Sequence, residues 1–65
     1  MKYKIEIWQW GHIVETYERD DIEEGVDWYY SESWCTAYDN GLCAVEIYEN
    51  GEKCPFEKAV KLGFY

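Results

Sequence analysis

The sequence predicts an α+β fold: a small antiparallel sheet of about three to four strands with one main helix and a short C-terminal helix, in the order β-β-α-β-β-α. Three observations predict it. The N-terminal "KYKIEIWQW" alternates apolar and polar residues with the period of two that a half-buried strand requires. Residues 21–38 space their apolar side chains three and four apart, as a helix does. "LCAVEIYENGEKC" (42–54) alternates again and carries Asn50-Gly51, the dipeptide favoured in a two-residue type I′ hairpin turn.

In the first strand Tyr3, Ile5 and Ile7 share one face, while Lys2, Lys4, Glu6, Trp8 and Trp10 share the other. Gly11-His12 marks a tight turn and "IVETYE" (13–18) returns, so residues 2–18 form a hairpin. Two large aromatics, Trp8 and Trp10, then fall on its more polar face, where something should cover them. Asp21 and Glu24 have the spacing of a capping box at a helix start. The helix runs to about Tyr38 and ends near Asp39-Asn40-Gly41. Its inner face is Ile22, Val26, Tyr29, Tyr30, Ser33 and Ala37, with Trp34 at the edge. Glu24, Trp28, Ser31 and Cys35 form the outer stripe, flanked by Asp27 and Tyr38. Gly25 within this helix costs about 1 kcal/mol relative to Ala.

Residues 42–49 are the third strand and 52–54 a short returning one. "PFEKAVKLGFY" closes the chain as a helix with Pro55 at its first position and Gly63 just past its end. Phe56, Ala59 and Val60 face inward, and Glu57–Lys61 is an i, i+4 pair. With 65 residues and no linker or repeat, the chain is read as one domain, 1–65, whose thin core depends on four Trp, seven Tyr and two Phe.

The net charge is −8, and its distribution is lopsided. Between Ile5 and Glu52 thirteen acids face a single cation, Arg19. That excess disfavours direct binding to nucleic acid or to an anionic membrane, and favours a basic partner. The N-terminus has no apolar signal segment and no run is long enough to span a bilayer. Cys35, Cys43 and Cys54 form an odd set that matches no common disulfide or zinc spacing, so free thiols in a reducing cytoplasm are expected, with no metal and no cofactor. His12 stands alone, without a nucleophile–base arrangement around it, and no phosphate-binding or zinc-protease motif occurs. No residue is assigned a catalytic role.

The candidate partner-binding residues are Glu15, Glu18, Asp20, Asp21, Glu23, Glu24, Asp27 and Trp28. The seven carboxylates lie within thirteen residues at the hairpin–helix junction. A folded array of this kind suits a groove lined with Lys and Arg, and neighbouring aromatics supply apolar anchoring. Capping explains Asp21 and Glu24 equally well, but not the whole run. A rival reading makes the aromatic face a homodimer seam or a small-ligand site.

In size and charge the whole chain resembles the small acidic proteins of bacteriophages and mobile elements, among them anti-CRISPR and anti-restriction proteins that imitate DNA. "YENGEKCPFEKAVKLGFY" is similar in character to many phage reading frames, though no residue-level motif carries the likeness. The resemblance implies a non-enzymatic inhibitor in a host bacterial cell. Its partner would be a basic nucleic-acid-binding protein, such as a defence nuclease.

Overall fold

In the computed structural model, which describes residues 2–65, two hairpins share one sheet. Strand β1 (Tyr3–Gln9) pairs antiparallel with β2 (His12–Arg19) on one side and with β3 (Ala44–Glu49) on the other. Two-residue β4 (Glu52–Lys53) completes the order β2-β1-β3-β4. Helices α1 (Ile22–Ser31), α2 (Trp34–Asp39) and α3 (Phe56–Leu62) complete an α+β fold in the order β-β-α-α-β-β-α.

Tyr3, Ile5 and Ile7 are buried as the alternation requires, and Ile47 joins them from β3. The first turn lies one residue earlier than expected. Trp10 and Gly11 both have positive φ (54° and 79°), and Gln9 pairs with His12, which opens β2. A type I′ turn needs left-handed backbone at both central positions, and Gly11 serves the second as Gly51 does beside Asn50. Trp10 is thereby placed at the tip. The register also shifts between Ile7 and Trp8, where β2 inserts an extra residue.

The expected long helix is two helices. α1 is capped by Asp21, whose side chain accepts the Glu23 N–H at 2.9 Å. That bond is to the second helical residue, and no return bond from Glu24 is formed among the described residues, so Asp21 is a simple N-cap and the capping box is not made. Ser33 adopts left-handed backbone (φ 62°) and breaks the run before α2. The break turns Trp34 and Cys35 toward the core, where they pack in place of the expected Ser33 and Ala37. Tyr30, expected inside, is 46% exposed, and its hydroxyl donates outward to the Gly63 and Phe64 carbonyls.

Gly25 has a packing reason. It is buried against β1, and a Cβ there would sit 3.0 Å from Ile5 Cδ1. The missing side chain lets helix and sheet approach. Gly25→Leu is expected to destabilise the fold by about 1–3 kcal/mol despite its better helix propensity. Urea unfolding followed by Trp fluorescence checks this, and an unchanged midpoint would remove the packing role.

α3 is preceded by Pro55, which stands at the cap rather than at the first helical position. It ends in a left-handed Gly63 (φ 105°), with Gly63 N–H bonded to Val60 O and Phe64 N–H to Ala59 O, both at 3.1 Å. This Schellman reversal swings Phe64 into the core, where it is 1% exposed. Of the expected inward set only Ala59 is buried; Phe56 and Val60 are exposed. The Glu57–Lys61 pair is not among the ion pairs of the described residues.

Tyr29 is fully buried at the centre, edge-on to Phe64, and its hydroxyl has no hydrogen-bond partner among the described residues. Burial, with Tyr65 and Cys43 nearby, pushes its phenol well above the ordinary range. Burial likewise pushes Tyr65 up to about 12. Both phenols therefore keep their protons in the fold at a pH where the unfolded chain has lost them. Their stabilisation is complete below about pH 10 and is lost as pH rises through the folded values. Alkaline unfolding is thus expected from about pH 10 upward, read by far-UV circular dichroism. Tyr29→Phe, which deletes the unpartnered hydroxyl, should move that loss to higher pH.

Candidate interaction surface

β2 is an edge strand, and the chain passes from it through Asp20 and Asp21 into α1. All seven predicted carboxylates lie on this stretch and all are exposed: Glu15 and Glu18 on β2, Asp20 and Asp21 at the junction, Glu23, Glu24 and Asp27 on α1. None forms an ion pair among the described residues. Two have backbone duties. Asp20 Oδ1 accepts the Lys2 N–H at 3.0 Å, and Asp21 caps α1.

Arg19, the one cation within the run, is occupied elsewhere. Its guanidinium lies over the Tyr17 ring, 4.2 Å from the centroid, and it donates to the Glu18 carbonyl at 2.7 Å. The lysines that form ion pairs serve other acids. Lys4 meets Glu6 at 3.3 Å and Lys53 meets Glu46 at 2.6 Å, while Lys2 and Lys58 both meet Glu49. Hydrogen bonds from Lys58 and Tyr3 hold the Glu49 carboxyl below its usual range. Glu46 and Glu49 are on β3, two strands from β2, whereas Glu6 is on β1, directly beside β2.

Trp28 is not on an outer stripe. It is half-buried and stacked flat on Tyr17 of β2, with centroids 4.6 Å apart and planes 9° off parallel. The stack fixes α1 to the edge strand that carries Glu15 and Glu18. Trp28 therefore braces the acidic surface, with only part of its ring available to a partner. Counting three and four residues along a single continuous helix put it outside; the turn of α1 against β2 puts it inside.

A second surface lies where Trp8 and Trp10 were expected to need a cover, and Leu42 joins it unforeseen. At the far end of the sheet Trp10 is 85% exposed and Leu42 64% exposed, flanking a cleft of about 580 Å³ that Trp8 also lines. Trp8 is half-buried and donates from Nε1 to Glu6 Oε1 at 3.2 Å. The doubled Trp in "IWQW" was the available signal, but only the turn geometry says which of the two stays uncovered.

Cys35, Cys43 and Cys54 are free thiols, and among the described residues no group of three His, Cys, Asp or Glu is arranged to hold a metal ion. No helix of the described residues is long and apolar enough to cross a membrane. No protein-family model, curated protein or solved structure matches the chain significantly.

Proposed function

We propose that this protein is a non-enzymatic acidic inhibitor, phage-encoded and acting in the host cytoplasm, that occupies the basic groove of a nucleic-acid-binding enzyme such as a defence nuclease. One observation carries this reading: seven carboxylates within thirteen residues are exposed and meet no cation among the described residues, although four lysines pair with acids elsewhere. Uncompensated charge of one sign repels itself within the fold, and a complementary partner relieves that repulsion. It also accelerates encounter with a positively charged groove. The groove's ordinary occupant, a phosphate backbone, is likewise a dense run of negative charge.

The test is capture on the immobilised chain from a bacterial lysate, elution with salt, and identification by mass. The captured enzyme is then assayed for nucleic-acid binding. This reading expects the chain to compete with duplex DNA or RNA, with potency falling steeply as ionic strength rises. A captured enzyme that loads nucleic acid equally well in the chain's presence would end it. The exposed Trp10 and Leu42 favour a second reading, self-association through an apolar seam. That seam should persist at high salt, where the acidic contact fails.

A further inference from the structure

The sheet has a gap in its other edge. Asn50 N–H bonds to Lys2 O at 2.7 Å, and Cys54 N–H bonds to Ile47 O at 2.7 Å. Successive residues of a strand aim their backbone groups to opposite sides, so Ala44, Glu46 and Tyr48 bond toward β1 while Val45, Ile47 and Glu49 face β4. β4 is two residues long, and the chain leaves the edge at Pro55 to begin α3. Val45 N–H and C=O are consequently left without a partner among the described residues. They open into a groove of about 580 Å³ walled by Tyr38, Phe56, Ala59 and Tyr65. Phe56 stacks on Tyr65 at 5.1 Å, and Tyr38 lies 4.6 Å from Tyr65, so the wall is a continuous aromatic surface.

We propose that this edge accepts an extended peptide segment of another protein, which pairs with Val45 as an added strand and places alternate apolar side chains against the Tyr38–Tyr65–Phe56 wall. Open edge groups supply backbone hydrogen bonds, and the groove selects every second side chain. From Cys43 to Ile47 the edge spans about 13 Å, enough for roughly four residues of peptide. The segment is neutral or basic. Of fourteen carboxylates only Glu6, Glu46 and Glu49 meet a lysine among the described residues, while Arg19 and Lys61 are the two cations that meet no acid, so the chain repels an acidic segment. A second copy fits less well. A stable dimer needs about 800 Å² per partner, close to a fifth of the 4228 Å² surface. So short an edge does not offer that area, and the copy would bring another −8 charge. The proposal is independent of the acidic run, which lies on the opposite edge.

The test titrates the full, ¹⁵N-labelled chain with two synthetic heptapeptides, one alternating Val and Lys, the other Phe and Lys. Saturable shifts at the Val45, Ile47 and Tyr65 amides are expected with at least one of them, together with slower exchange of the Val45 amide. The same peptide N-methylated at alternate residues should not bind. Val45→Pro removes an outward N–H that no strand uses, and should weaken binding about tenfold. Phe56→Ser, at an exposed position, tests the wall without touching the backbone edge. A combined variant, Asp20→Asn, Asp21→Asn, Glu23→Gln and Glu24→Gln, should leave peptide binding in place. Three results would each overturn the proposal: no saturable shift with either peptide in the millimolar range, shifts confined to residues 15–27, or edge amides that respond only to the chain's own concentration.

Discussion

Phe64→Ala is expected to remove about 3–5 kcal/mol, a third or more of the protein's whole stability. Phe64 is 1% exposed and lies edge-on to the fully buried Tyr29, with ring centroids 5.4 Å apart. Truncating a buried Phe costs about 3–5 kcal/mol, because transfer energy is lost and the cavity does not close. A domain of this length has only about 3–10 kcal/mol in total, at roughly 0.05–0.15 kcal/mol per residue. Phe56 provides the comparison. It is 62% exposed, so Phe56→Ala should change stability by no more than about 0.5–1 kcal/mol. Urea unfolding of both variants, followed by Trp fluorescence, decides the matter. A larger loss at Phe56 than at Phe64 would mean that the C-terminal reversal is not formed in solution.

On the proposed function, neutralising the junction acids should cost the protein its basic partner while sparing its fold. The set Asp20→Asn, Asp21→Asn, Glu23→Gln and Glu24→Gln removes four negative charges. Asn at position 21 can still cap α1, so the helix start survives. Loss of acids at the helix start costs about 0.3–1 kcal/mol each, and relief of self-repulsion opposes that cost. Binding should respond much more. Four exposed ion pairs at about 0.2–1 kcal/mol each correspond to a loss of inhibitory potency between several-fold and several hundredfold. The matched control neutralises Glu32, Asp39, Glu52 and Glu57, four acids outside the run that meet no lysine among the described residues. It changes net charge equally, and potency should hold. Equal losses in both sets would show that total charge, and not this surface, recognises the partner.

Legibility in the sequence followed the range of the interaction. Asn50-Gly51, the buried face of Tyr3, Ile5 and Ile7, the Asp21 cap and the Gly63 terminator were all readable, because each depends on residues a few positions apart. The exposed acids were readable for the same reason, since a dense local run of charge has no interior to enter. Trp28 was misplaced because its surroundings depend on Tyr17, eleven positions away on another element. Phe56 was misplaced inward and Phe64 was not placed at all, because helical periodicity stops at Gly63 and the direction taken beyond it is set by the volume beside Tyr29.

By itself, then, the sequence determined the α+β class, both hairpins and the placement of seven acids at one junction. Alternation, turn chemistry and charge are properties of neighbouring residues. Tertiary structure decided the break at Ser33, the stacking of Trp28 on Tyr17, the entry of Phe64 and the open backbone at Val45. Each of these is a choice among locally acceptable conformations, and close packing across distant parts of the chain makes that choice.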